Sequence, residues 1–210
     1  EHFPARERLV RETRQALPNV AGIAQSVHDG RSHEVFGETV RTLWGDPFLE
    51  EKLGEVPYEL SPRAFFQLNP AQAIRLYDTV KEAAALTGKE TVLDLYCGAG
   101  TISLWLAPYA REVIGVESVP EAVEDARRNA ALAGRSNVRF ECARAEEALP
   151  RWARQGMRPD VIVADPPRTG LGKPLIDAIA KVRPARFVYV SCNPATLAKD
   201  TRLLLEAGYR

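Results

Sequence analysis

From residue 91 onward the chain alternates between short apolar runs and longer amphipathic ones. Residues 91–95, 112–116, 138–141, 161–164 and 187–190 are brief and dominated by Val, Ile, Leu and Phe, which predicts strands in a covered, parallel sheet. Residues 102–107, 120–133, 145–155, 175–180 and 194–207 lie between or after them with helical spacing, and Gly134 stops the second. Five strands alternating with helices predict a doubly wound, mostly parallel α/β sheet of Rossmann-like type, with helices on both faces. Just upstream, residues 69–86 repeat at helical period through Ile74, Tyr77, Val80 and Ala84, with Gly88 as the expected C-cap.

Residues 1–60 read differently, as short strands. Residues 20–27, 32–36, 38–44 and 58–61 are β-prone and are separated by His28-Asp29-Gly30, Gly37 and Gly45-Asp46-Pro47. Dense turn signals between short runs predict a small antiparallel β-rich part. The expected organisation is therefore an accessory segment over residues 1–62 and a catalytic domain over residues 63–210.

Composition narrows the class. With 45% hydrophobic and 27% charged residues in a chain of 210, the sequence can bury a core and is not predominantly disordered. No apolar run reaches the roughly 18–20 residues needed for a membrane span. The charged stretch 1–14 has no apolar centre of a secretory leader. The 28 basic and 28 acidic residues are unevenly placed: residues 1–60 hold seven basic against eleven acidic, leaving the larger segment mildly basic. That balance permits a polyanionic partner without demanding one. Cys97, Cys142 and Cys192 show no CxxC spacing, so neither a disulfide framework nor a metal site is expected, and a reducing cytoplasmic setting is. Met157 is the only methionine, so the chain reads as part of something longer.

Three strand ends carry candidate chemistry. The first strand runs into Asp94-Leu95-Tyr96-Cys97-Gly98-Ala99-Gly100-Thr101, where glycines allow close backbone approach to a ligand. Glu117 ends the next strand, about 20 residues on, where an acid suits a ribose diol. The missing third glycine of a dinucleotide fingerprint, and an acid (Asp94) that would repel a pyrophosphate but suits an ammonium, favour S-adenosylmethionine over NAD. The fourth strand ends in Asp165-Pro166-Pro167-Arg168-Thr169-Gly170-Leu171, with the carboxylate held by two rigid prolines. Such a loop suits recognition of a planar base edge through Asp165 and Pro166, with Arg168 either binding a phosphate or making a structural ion pair. The last strand leads into Ser191-Cys192-Asn193-Pro194, where Asn193 is an N-cap and Pro194 the first helical residue. A cysteine beside a helix N-terminus is favoured as thiolate, which makes Cys192 the candidate nucleophile. Cys142 reads as a small buried hydrophobe. Cys97 is left between packing and a place in the cofactor loop.

With these loops in place the chain resembles the RNA uracil-5-methyltransferase family that modifies tRNA and 23S rRNA. The matching strings are Phe65-Phe66-Gln67-Leu68-Asn69, Leu93 through Gly100, Gly115-Val116-Glu117, Asp165 through Leu171, and Val190-Ser191-Cys192-Asn193-Pro194-Ala195-Thr196-Leu197-Ala198-Lys199-Asp200. The resemblance implies that Gln67, Tyr96, Gly98, Gly100, Thr101, Glu117 and Asp165 lie at the cofactor, that Cys192 adds to C6 of a flipped-out uridine, and that the partner is RNA. Position 144 is Arg where relatives can carry an acid or amide, so no adenine contact is assigned there. It also implies a catalytic base, a Glu, in a closing region beyond residue 210, and an iron–sulfur cluster is unsupported within this chain. A monomer is expected. Methylation of cytosine or another base, a non-catalytic RNA-binding module on the same fold, and an NAD-dependent oxidoreductase are the alternatives.

Overall fold

The structure, a computed structural model, describes residues 3–28, 30, 36–37 and 39–210. The strand expected over residues 32–36 lies outside the described residues except for Phe36, and so does Asp29 of the expected turn.

The mostly parallel sheet is present. Strands β5 (Thr91–Leu95), β6 (Glu112–Glu117), β7 (Val138–Cys142), β8 (Val161–Ala164) and β9 (Arg186–Tyr189) pair in the order β7-β6-β5-β8-β9. All four pairings are parallel. Side-chain alternation splits the core in two. Val92, Val113, Val161 and Val163 face one layer, made by α2 (Pro70–Ala84), α3 (Thr101–Leu106) and α4 (Pro120–Leu132). Leu93, Leu95, Ile114, Val116, Ile162 and Ala164 face the other, made by α5 (Ala145–Arg154), α6 (Gly172–Val182) and α7 (Pro194–Glu206). Every residue of β5 is buried, as expected for the central strand of a sheet covered on both faces.

Several expectations for the rest of the chain need correction. Helix α1 (Arg6–Ala16) stands where only short strands were expected. Its sequence, RERLVRETRQA, consists largely of strong helix formers and carries an Arg8–Glu12 pair one turn apart at 2.7 Å. It buries no residue, so it lacks the apolar stripe that announces a helix. Arg6 Nη2 donates to the Leu43 carbonyl at 3.0 Å, and the Arg14 guanidinium lies 4.3 Å above the Trp44 ring. Those contacts set α1 beside the antiparallel pair of β1 (Gly22–Val27) and β2 (Thr39–Gly45). Strand β3 (Leu49–Leu53) was also unforeseen, because Leu-Glu-Glu-Lys-Leu has no apolar alternation; pairing across a turn at Gly54 with β4 (Val56–Leu60) makes it a strand. Helix α2 ends on Ala85 in left-handed conformation (φ 45°), ahead of Gly88, and its buried stripe is Ala73, Tyr77, Val80 and Ala84, with Ile74 beside it.

The β3–β4 hairpin belongs to the core rather than to an appendage. Leu53, Val56, Tyr58 and Leu60 are buried in the same cluster as α2, α3 and α4. Two buried polar residues of α4 stitch it down. Asp125 Oδ2 accepts from the Ser61 amide at 3.0 Å, and Asn129 Oδ1 accepts from the Glu59 amide at 2.7 Å. Asn129 Nδ2 then donates to the Ala99 carbonyl at 3.1 Å, so one side chain joins the hairpin to the glycine loop. Arg128 pairs with Asp125 and lies 4.1 Å over the Phe48 ring.

Candidate active site

The sheet order reverses at β5, whose neighbours β6 and β8 were reached by crossovers in opposite directions. The carboxyl ends of strands at such a point form a crevice. The loops after β5, β6, β8 and β9 meet there, and they carry most of the residues singled out above.

Tyr96 (φ 66°), Gly98 (φ 54°) and Gly100 (φ 83°) are all left-handed, which turns the chain sharply out of β5. The two glycines do different work. A Cβ at Gly98 would meet nothing within 4 Å, so that backbone is open to a ligand; one at Gly100 would come within 2.9 Å of Phe140. Asp94 lies beneath the loop, fully buried, with Oδ2 accepting from Ser103 Oγ at 2.6 Å and Oδ1 without a partner. Burial pushes its carboxyl from 3.8 to about 7 against the pull of the Ser103 bond, and the neighbouring Asp165 and Glu117 charges push the same way. A buried, half-satisfied acid of this kind fits a ligand ammonium.

Glu117 ends β6 and is turned onto backbone. Oε2 accepts from the Gly98 amide at 3.1 Å, and Oε1 accepts from Ser118 N at 2.6 Å, Ser118 Oγ at 3.1 Å and Val119 N at 2.9 Å. It therefore fixes the glycine loop to β6, and a ribose diol would compete with these donors for its oxygens. The Tyr96 hydroxyl donates to Glu146 at 2.8 Å, and burial raises its pKa. Thr101 Oγ1 accepts from the Tyr77 hydroxyl at 3.1 Å. Gln67 stands apart from these loops: it is half-buried and lines a cavity of about 570 Å³ with Phe48, Leu60, Ser61 and Phe66, and among the described residues no hydrogen bond ties it to the strand-end loops.

Asp165 follows β8, its amide donating to the Leu95 carbonyl at 3.4 Å, and partial burial pushes its carboxyl up to about 6. Pro166 is buried and Arg168 exposed. The Arg168 carbonyl accepts from Asn193 Nδ2 and Thr196 Oγ1, both at 3.2 Å, so this loop rests on the start of α7. Cys192 precedes that helix and is exposed; Asn193 caps it, accepting from the Ala195 amide at 3.1 Å, and Pro194 opens its first turn. Cys97 is buried among Gly115 and Phe140, and burial pushes its thiol well up, which makes it a packing residue. Cys142 is exposed, contrary to the buried reading, because it is the last residue of the sheet's edge strand.

Sequence reading missed the residues that hold the loops: Ser103, Asn129, Asp125, Tyr189 and Asp200. A signal existed for two of them. Asp125 and Asn129 are one turn apart on α4, and both are buried along with Val123, Ala126 and Ala130. Polar residues set in an apolar stripe are usually held by specific hydrogen bonds. Among the described residues no group of three or more His, Cys, Asp or Glu is placed to hold a metal ion, and no helix is long and apolar enough to cross a membrane.

Comparison with known proteins bears on this arrangement. A model of the tRNA (uracil-5-)-methyltransferase family matches residues 46–208. An uncharacterised RNA methyltransferase of Halalkalibacterium halodurans is 49% identical over 208 residues, 99% of this chain and 45% of the relative. One from Bacillus cereus is 47% identical over 207 residues, again 99% of this chain and 45% of the relative. The chain thus spans about half the length of the curated relatives it matches. Among solved structures, the Pyrococcus abyssi tRNA (uracil-54, C5)-methyltransferase in complex with S-adenosyl-L-homocysteine superposes with a TM-score of 0.74 at 34% identity, over 91% of this chain and 46% of that one. A SAM-dependent methyltransferase from Agrobacterium tumefaciens, 24% identical with a TM-score of 0.64, covers 92% of this chain and 66% of that one and shares the fold. The glycine loop, the Asp-Pro-Pro-Arg loop and the Ser-Cys-Asn-Pro turn all fall within the matched span, and the chain belongs to the tRNA (uracil-5-)-methyltransferase family.

Proposed function

We propose that this chain carries the catalytic centre of an S-adenosylmethionine-dependent enzyme that methylates C5 of a uridine in RNA, tRNA or 23S rRNA, through a covalent bond from Cys192 to C6. The observation that carries the reading is the convergence of four strand-end loops on one crevice, with an exposed thiol on one side and a partnerless buried carboxylate oxygen on the other. The relative from Pyrococcus abyssi, crystallised with S-adenosyl-L-homocysteine, supports the cofactor and the base.

Asp94 Oδ1, Gly98, Gly100, Tyr96, Thr101, Glu117, Gln67 and Asp165 are the groups that would hold the cofactor. When bound, S-adenosylmethionine supplies an electrophilic methyl group on a sulfonium. The chain's own residues prepare the acceptor. The Cys192 thiolate adds to C6, and the C5–C6 electron pair moves onto C5 and O4 as an enolate, which makes C5 nucleophilic. Asp165, held rigid by Pro166, accepts the N3–H of the ring and orients it, while Arg168 faces the RNA backbone. Once C5 is methylated and its proton removed, the C6–S bond breaks and the thiolate returns. The target base must leave its stack to reach the crevice.

In this reading residues 63–210 are the catalytic domain and residues 1–62 the accessory segment, with the β3–β4 hairpin packed on the catalytic side. Three free thiols agree with a reducing, cytoplasmic setting, and the enzyme acts as a monomer. The test is incubation with S-adenosylmethionine and RNA carrying 5-fluorouridine, whose C5 has no proton to lose. A covalent protein–RNA adduct is expected, and Cys192→Ala abolishes it. An adduct that persists in the alanine variant removes Cys192 as the nucleophile.

A further inference from the structure

Helix α7 does more than follow the candidate nucleophile. Asn193, Thr196 and Asp200 recur along it at helical spacing, and all three reach the loop that follows β8. Asn193 Nδ2 and Thr196 Oγ1 donate to the Arg168 carbonyl at 3.2 Å. One turn further on, Asp200 is 2% exposed, and its Oδ2 accepts from the Leu171 amide at 2.8 Å and from the Tyr189 hydroxyl at 2.8 Å. Tyr189 is the last residue of β9, three positions before Cys192. One carboxylate oxygen therefore ties together the strand that leads to the thiol, the helix that follows it and the far end of the loop that begins at Asp165. The fit is tight. Gly170 is left-handed (φ 80°), and a Cβ there would collide with Asp200 Oδ2.

A buried carboxylate is costly unless its lone pairs are met, and on an apolar helix face a Leu would pack more cheaply. What the acid supplies is geometry. We propose that Asp200 is a positioning residue for the uridine site: through the Leu171 amide and the Tyr189 phenol it fixes the distance between Asp165 and Cys192, so that base edge and C6 are engaged together. The inference rests on the roles proposed above for Asp165 and Cys192. Reaction rates fall steeply with small errors in such a distance, whereas the cofactor pocket, built on β5 and β6, lies outside this network.

The test measures two quantities on the intact protein: the rate of adduct formation with 5-fluorouridine RNA, and affinity for S-adenosylhomocysteine. Asp200→Ala should slow adduct formation by ~10- to 100-fold while S-adenosylhomocysteine affinity stays within about twofold. Asp200→Asn should recover most of the rate, because an amide oxygen accepts the same two bonds. If Asp200→Ala does not fold, Tyr189→Phe and Gly170→Ala carry the test. The first removes one donor and should cost about threefold, and the second displaces the carboxylate and should approach the full loss. Wild-type adduct rates in Asp200→Ala or Gly170→Ala overturn the inference. So does an Asp200→Asn variant as slow as the alanine one, or a parallel collapse of S-adenosylhomocysteine affinity. An adduct that survives Cys192→Ala is a different failure: it removes the assignment of Cys192, and the inference with it.

Discussion

Asp94 gives a prediction in which sign and size both follow from the structure. Its carboxyl is buried, one oxygen is bonded to Ser103 and the other has no partner, and burial lifts its pKa from 3.8 to about 7. At 1.36 kcal/mol per pH unit, ionising it in the folded chain costs ~4 kcal/mol more than in the unfolded one. Between about pH 4 and pH 7 the native state therefore binds the extra proton, so this group's contribution makes stability fall as pH rises through that window and level off above it. A ligand ammonium placed against Oδ1 reverses the preference, so binding expels the proton. Affinity for S-adenosylhomocysteine should then rise by up to about tenfold per pH unit below pH 7, or roughly 30-fold from pH 5.5 to 7.5. Titration calorimetry in buffers of different ionisation enthalpy reads both the affinity and the proton released. The charged or titratable groups acting on Asp94 include Asp165, Glu117, Tyr77 and Cys97. Of these Asp165, pushed to about 6, titrates nearest, so Asp165→Asn is the control and should keep the slope. Asp94→Asn should flatten it. A dissociation constant that is flat across the range, or an unchanged slope in Asp94→Asn, refutes the assignment of Asp94 to the ammonium.

Other outcomes follow from packing and exposure. Asn129→Ala strands the Glu59 amide and the Ala99 carbonyl, and should cost ~2–4 kcal/mol in urea unfolding with weaker S-adenosylhomocysteine binding; a loss under about 0.5 kcal/mol would remove its linking role. Gly115→Ala puts a Cβ 2.5 Å from Phe140 and 2.8 Å from Cys97 Sγ, and should destabilise by ~1–3 kcal/mol in the same assay. Thiol titration of the native protein should label Cys142 and Cys192 quickly and Cys97 only on unfolding, and three equally fast thiols would contradict the buried position of Cys97. Cys142→Ser should leave unfolding within about 0.5 kcal/mol of wild type, checked by urea titration.

The parallel sheet was readable because its strands are buried on both faces: β5 and β8 are apolar runs that a solvent-facing strand does not produce, apart from Asp94. The loops were readable because strand-end positions fix where chemistry must sit. What escaped notice depends on partners distant in sequence. α1 has no buried face to set a period, and β3 is acidic and extended only because Val56–Leu60 pairs with it. The hairpin's place in the core depends on Asp125 and Asn129, more than 60 residues away along the chain. Asp200 stood in a recognised string, but its role depends on a left-handed Gly170 that brings the loop backbone against it. Cys142 was misread because an edge strand is not distinguished from an inner one by its own residues.

Phe140 ties together two glycines that otherwise have separate explanations. Its ring is what a Cβ would strike at Gly100 in the cofactor loop and also at Gly115 in the middle of β6. The three positions therefore change in a fixed order during sequence drift: a smaller residue at 140 must come first, and only then can either glycine gain a side chain, while the left-handed Gly100 still resists for its own backbone reasons. A relative with alanine at the position of Gly115 should accordingly carry a reduced side chain at the position of Phe140.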